Sequence, residues 1–157
     1  MKKIVLLLIA ASFLSCGASK LVKETERSFN GEWILNDISY PNSSGFFDVI
    51  LFQTANANCF ESSVWNFVAN NNRGTVDLYD TSCTTERQNL VWSVEESTKP
   101  DYLYNVVLKM AENEKARKEK NGSRLQIKEI TPDKMIWDLN IQFQSKPMIV
   151  RLHFVKN

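Results

Sequence analysis

Only one histidine, His153, stands in the 157 residues, beside three cysteines and five glycines, and neither sign of charge dominates, with 19 Lys and Arg against 18 Asp and Glu. Each shortage removes a class of function. There is no Gly-rich phosphate loop, HExxH helix, nucleophile elbow or repeated metal-ligand pattern. A near-neutral chain also lacks the concentrated basic surface of a nucleic-acid binder. The run Lys115 to Lys120 is basic, but Glu112, Glu114 and Glu119 dilute it; it reads as a solvated loop, with contact to an acidic lipid surface or partner as the other reading. His153, beside an outward-facing Arg151 and Val155, suits a surface or packing role better than general-base work. Glu95 and Glu96 point to opposite sides of a strand and Asp77 and Asp80 have no fixed opposition, whereas an acid–base glycosidase needs two carboxylates in one cleft. The sequence therefore supports no enzyme, no cofactor and no metal site.

Long apolar runs are equally scarce, which makes the one at the start informative. After Met1-Lys2-Lys3, the stretch Ile4 to Ala11 is unbroken and continues past Ser12 into Phe13 and Leu14. It falls short of the roughly 20 residues a spanning helix needs. It reads as an export signal over residues 1–15 that is removed, and less well as a buried terminal strand or helix. Phe13-Leu14-Ser15-Cys16-Gly17 resembles a bacterial lipoprotein box. The resemblance implies cleavage before Cys16 and acylation of its sulfur, and several acyl chains anchor stably where a single one holds only marginally. Residues 16–30 then form a lipidated N-terminus and flexible tether, and no later stretch could cross a membrane as a helix.

With Cys16 given to lipid, Cys59 and Cys83 remain in an exported chain, where an intramolecular disulfide is expected. Closing a loop of about 25 residues would contribute roughly 3 to 4 kcal/mol through the unfolded state. The competing zinc reading is weak, because two cysteines without a neighbouring histidine do not complete a tetrahedral shell.

From Gly31 onward the apolar spacing is mostly two, the repeat that puts alternate side chains on one face of a strand. Candidate strands are Trp33 to Ser39, Phe47 to Phe52, Ser63 to Ala69, Thr75 to Tyr79, Asn89 to Glu95, Tyr102 to Met110, Arg124 to Ile130, Lys134 to Phe143 and Met148 to Val155. The second could equally be a short helix, and Ala111 to Lys120 either a helix or a protruding hairpin loop. Asn70 to Gly74 can supply the positive backbone angles of a tight connection. Short connections between alternating strands predict an all-β fold over residues 31–157, a single antiparallel up-and-down β-barrel of about eight strands, with a sandwich as the alternative.

Phe29-Asn30-Gly31-Glu32-Trp33 resembles the Gly-x-Trp opening of the lipocalin superfamily, and Arg151 within Ile149 to Phe154 resembles its last-strand Arg. Cys59 to Phe67, followed by Gly74, looks like the small lipocalin-like lipoproteins of Bacteroidetes-type bacteria. The resemblance spans Asn30 to Asn157. It implies structural roles for Gly31, Trp33 and Arg151, with the guanidinium crossing the indole near the closed barrel end. It also implies the outer membrane, where Gly17-Ala18-Ser19, lacking an acidic export cluster, favours the periplasmic face, with surface exposure as the other reading.

Trp65, Phe67, Trp92, Tyr102, Tyr104, Trp137 and Phe143 supply much large apolar and amphipathic surface for a small barrel. Such rings can enclose a small hydrophobic or amphipathic ligand, or simply fill the interior to normal density. The leading expectation is a membrane-anchored lipoprotein that carries such a ligand. The alternative is an envelope protein-interaction or structural module with a filled barrel.

Overall fold

Side chains that alternate between apolar and polar can satisfy both water and a core only if their strands close around an interior. The computed structural model describes residues 19–41, 43–45, 47–79, 83, 87–111 and 121–157. In it eight antiparallel strands run around one wall in the order β1 (Gly31–Ser39), β10 (Lys146–Lys156), β9 (Lys134–Phe143), β8 (Ser123–Ile130), β7 (Tyr104–Ala111), β6 (Gln88–Glu96), β5 (Arg73–Asp77) and β4 (Val64–Val68). β4 returns to β1, Gly31 facing Phe67 and Ile34 facing Val64, so the wall closes and the sandwich alternative falls away. The expected antiparallel barrel of about eight strands is the fold observed. Residues 1–18 and 112–120 lie outside the described residues, and with them the expected leader, the Cys16 anchor and most of the charged segment.

One expected strand does not join the wall. Within Phe47 to Phe52 only β2 (Ile50–Leu51) is extended, and it pairs with β3 (Ala55–Asn56) in a separate hairpin between β1 and β4. The parity of β1 also changes midway. Trp33 and Leu35 point inward, but a bulge between Leu35 and Asp37 passes the inward position to Ile38, as an extra unpaired residue does.

The expected tether corrects most clearly. Lys20–Phe29 is a helix, α1, capped by the Ser19 hydroxyl, which accepts from the Val22 N–H at 3.3 Å. Val22, Thr25 and Phe29 share a buried face at helical spacing. Glu26 ties the helix down, its Oε1 accepting from Asn72 Nδ2 at 2.8 Å and from the Val94 N–H at 3.4 Å. Phe29 is fully buried, its ring centroid 5.2 Å from that of Trp92, 5.3 Å from Trp137 and 5.8 Å from Phe67. Its carbonyl accepts the Trp33 indole N–H at 2.8 Å. The segment is therefore a plug closing one barrel end. Gly31, with φ +105°, turns the chain from this plug into β1 at a backbone angle that favours glycine.

The cation over Trp33 is Lys156, not Arg151. Its Nζ lies 4.2 Å from the indole centroid and donates to the Asn30 carbonyl at 2.6 Å. Strand parity explains the exchange: Lys156 shares the side of inward Phe154, whereas Arg151 alternates with buried Val150 and Leu152 and points outward. Arg151 registers with Ser39 across β1, six residues from Trp33. The turn from Asn70 to Gly74 supplies the expected positive backbone angle. It falls on Asn72, φ 54°, while Gly74 serves close approach, since a Cβ there would sit 2.0 Å from the Asn66 carbonyl oxygen.

Phe29→Ala is expected to lower unfolding free energy by about 3–5 kcal/mol, the usual cost of deleting a fully buried aromatic. Urea unfolding followed by tryptophan fluorescence measures it, and a loss below about 1 kcal/mol would restore the tether reading.

Candidate functional site

At the end opposite α1 the described residues leave a hollow. β6, β7 and β8 bring Gln88, Leu108, Met110, Ala111, Asn121 and Ser123 to its rim, and the turn Phe52-Gln53-Thr54 between β2 and β3 reaches over them. The hollow they enclose is about 290 Å³, near the lower end of small-molecule pockets.

The roof is held from several directions. The Thr54 N–H donates to the Leu51 carbonyl at 3.0 Å and the Ala57 N–H to the Val49 carbonyl at 2.8 Å. Phe52 stands edge-on to Phe60 and Trp65, at centroid distances of 5.2 and 5.7 Å. Phe60 belongs to a one-turn helix, α2 (Ala57–Phe60), which carries Cys59. The expected disulfide is present: Cys59 bonds Cys83, with Cα atoms 5.7 Å apart, and so staples α2 to the connection between β5 and β6. Phe52 and Gln53 both have positive φ, 53° and 59°, a conformation that bulky residues hold only where the surroundings impose it.

Beneath the roof, Gln88 is 1% exposed and its Nε2 has no hydrogen-bond partner among the described residues. The buried Trp137 Nε1 shares that condition. Other buried indoles are satisfied, Trp65 by Ser63 Oγ at 2.8 Å and Trp92 by the Arg73 carbonyl at 3.0 Å.

The aromatic residues expected to line a cavity divide into groups. Trp65, Phe67, Trp92 and Trp137 come together, but around Phe29 and Phe154, with centroids 4.8 to 6.4 Å apart, and they fill the plugged half of the barrel. Tyr104 is half-buried against the same core. Phe143 stands apart, edge-on to Phe47 at 5.7 Å, with Tyr40 beyond. Burial, and then Glu61, raises the Tyr40 hydroxyl above the ordinary tyrosine pKa. Tyr102 lies off the strand and outside the interior, its hydroxyl donating to Asp138 Oδ2 at 3.0 Å. Sequence reasoning missed Gln88, although its signal was legible: it is the polar member of the inward series Gln88, Leu90, Trp92, Val94.

The outer wall carries two polar groups worth testing for chemistry. Asp138 is fully buried, and Arg151 donates to both its oxygens, Nε at 2.7 Å and Nη2 at 2.9 Å. That hydrogen bond raises the guanidinium pKa further, and burial followed by the Asp138 contact raises that of Tyr102. The second group is Ser39, His153 and Asp37. Ser39 Oγ lies 2.8 Å from His153 Nε2, but Asp37 approaches that same nitrogen, at 3.8 Å. A hydrolytic triad needs the carboxylate on the opposite ring nitrogen, so this set is not arranged to activate a nucleophile. Among the described residues no three His, Cys, Asp or Glu side chains gather to hold a metal ion.

Arg151→Met strands a buried carboxylate and is expected to cost about 3 kcal/mol, near the lower end for breaking a buried pair because the guanidinium is partly exposed. Adding Asp138→Leu should recover most of that loss in a double-mutant cycle. Strictly additive losses in chemical denaturation would refute the coupling.

The sequence model of a family described as a lipocalin-like domain matches residues 29–137. Such domains are generally binding proteins rather than enzymes. No curated protein and no solved structure matches the chain.

Proposed function

We propose, from the premise that this chain belongs to the lipocalin-like domain family, that it is a lipid-anchored carrier holding one small amphipathic molecule at the barrel mouth. The observation that carries this reading is the contrast between the two barrel ends. The plugged half is packed with rings to the exclusion of a ligand, whereas the mouth keeps a roofed hollow of about 290 Å³ lined by both apolar and hydrogen-bonding side chains. The surface exposed in that hollow is mostly polar, so a molecule held there is met largely through hydrogen bonds.

Acylated Cys16 attaches the protein to the bilayer in this reading, most naturally at the periplasmic side of the outer membrane. Only Gly17, Ala18 and Ser19 separate Cys16 from the first residue of α1, a reach of about 14 Å at full extension. A link that short, leading directly into the plug, keeps the closed end near the lipid and turns the mouth away from it. The ligand then enters from the aqueous side or from a partner protein, rather than by lateral passage out of the bilayer.

Native mass spectrometry of protein purified from its own host should reveal one stoichiometric small molecule, released on unfolding. Cys16→Ala should move the protein from the membrane to the soluble fraction, and protease added to intact cells should leave the domain whole. Protein that is empty under gentle extraction would count against the carrier, and unchanged fractionation of the variant against the anchor.

A further inference from the structure

We propose that the outer wall carries a second binding site, separate from the mouth, that takes a short neutral saccharide. An open groove of about 500 Å³ lies on the outside of β6 to β9, beside the connection from Ser97 to Leu103. Strand register sets Glu95, Asn105, Gln126, Asp138 and Arg151 in one row across five strands. Asp138 and Arg151 satisfy each other, but the two amides of the row do not. Asn105 and Gln126 are 8% and 7% exposed and both line the groove. Asn105 Nδ2 donates to the Glu96 carbonyl at 3.2 Å, and Gln126 Oε1 accepts from Lys99 Nζ at 3.4 Å and Asn140 Nδ2 at 2.6 Å. That leaves an acceptor, Asn105 Oδ1, and a donor, Gln126 Nε2, without partners among the described residues. Unlike the donors of Gln88 and Trp137, neither atom is sealed from solvent. Two half-used amides therefore present a donor and an acceptor side by side to whatever enters the groove.

The lining restricts what that is. Asn105 and Gln126 are cross-strand partners, and such pairs hold their Cβ atoms about 5 Å apart. Their open atoms suit neighbouring hydroxyls, one donating to Asn105 Oδ1 and the next accepting from Gln126 Nε2. Charges within the groove offset one another: Glu95 pairs with Arg124, and Glu96 and Lys99 add one of each sign. An ion gains little from such a lining, whereas a neutral molecule dense in hydroxyls meets donors and acceptors together. The exposed surface is about evenly polar and apolar although every lining side chain is polar, so aliphatic stems such as those of Lys99 and Arg124 supply the apolar part, a bed for the C–H face of a sugar ring. An extended peptide fits less well, because the closed wall offers it no strand edge and no apolar side chain lines the groove to hold one of its own. The groove is also held ready. The Leu103 N–H donates to the Ile127 carbonyl at 2.8 Å and the Tyr102 hydroxyl to Asp138 Oδ2 at 3.0 Å, which fixes the connection bearing Lys99 and lowers the ordering cost of binding.

Maltose, cellobiose, lactose and N,N′-diacetylchitobiose are neutral disaccharides of differing linkage and substitution, and N-acetyl-trialanine amide is a neutral peptide of similar size. In ¹H–¹⁵N NMR titrations of the full chain, at least one sugar should shift the side-chain amide signals of Asn105 and Gln126, and shift them more than the peptide does. Gln126→Glu keeps the acceptor for Lys99 and Asn140 but removes the open donor, and should weaken that sugar roughly ten-fold. Asn140→Ala, at an exposed position, removes the amide that orients Gln126 and should weaken it roughly three-fold; it decides the matter if the first variant fails to fold. No response to any of the four sugars, shifts confined to other residues, a stronger response to the peptide, or unchanged affinity in the folded variants would overturn the saccharide site. None of these outcomes bears on the mouth, whose ligand is sought by native mass spectrometry.

Discussion

The contact on which the rest of the molecule depends is the insertion of Phe29 among Trp92, Trp137 and Phe67, with its carbonyl receiving the Trp33 indole N–H. A barrel of eight strands has an interior just wide enough for side chains to fill or for one small ligand. A ring delivered by a helix from outside the wall settles that choice at one end. It closes the end and supplies the partner for a buried indole. Helix α1 would gain little from its own ten residues, since isolated helices of that length are marginal in water. Its order comes from docking, through Val22, Thr25 and Phe29 on one side and through Glu26 to Asn72 and Val94.

The mouth is governed by different physics. Its roof is a two-residue-strand hairpin, too small to be stable alone, and both Phe52 and Gln53 hold left-handed backbone angles. What imposes that geometry is the aromatic contact of Phe52 with Phe60 and Trp65 and, one residue before Phe60, the disulfide at Cys59. A loop held this way on a rigid wall is where a binding function commonly resides. Each half keeps one buried donor without a partner among the described residues, Gln88 Nε2 at the mouth and Trp137 Nε1 among the rings.

Much of the wall was legible from alternation alone. Lys134–Phe143 was readable to its last residue because Met135, Trp137, Leu139, Ile141 and Phe143 place an apolar side chain at every second position. The disulfide followed from the cysteine count and the expectation of export. Helix α1 was not legible as a plug, because in Lys20–Phe29 only Val22 and Phe29 are large buried apolar residues, Leu21 is exposed and the rest is polar. A composition window sees a tether there, whereas the three- and four-residue spacing records a narrow docking face. Phe47 to Phe52 failed for the reverse reason. Its apolar density resembles a wall strand, but Phe47 and Phe52 serve separate ring clusters and only Ile50–Leu51 pairs. Gln88 was overlooked because a search for aromatic surface passes over the one amide on an apolar face.

The exchange of Arg151 for Lys156 above Trp33 shows how parity decides a role that residue type suggests only loosely. An indole face attracts either cation, so the requirement at the closed end is a long basic side chain on the inward side of the last strand. Lys156 meets it, and its single ammonium also reaches the Asn30 carbonyl, although burial lowers its pKa below the ordinary lysine value. Arg151 meets a different requirement. Its planar fork matches both oxygens of a fully buried carboxylate on the neighbouring strand, a geometry that one ammonium cannot reproduce. Each cation therefore occupies the position its shape can satisfy, and the cap over the tryptophan persists although the residue expected to supply it faces the other way.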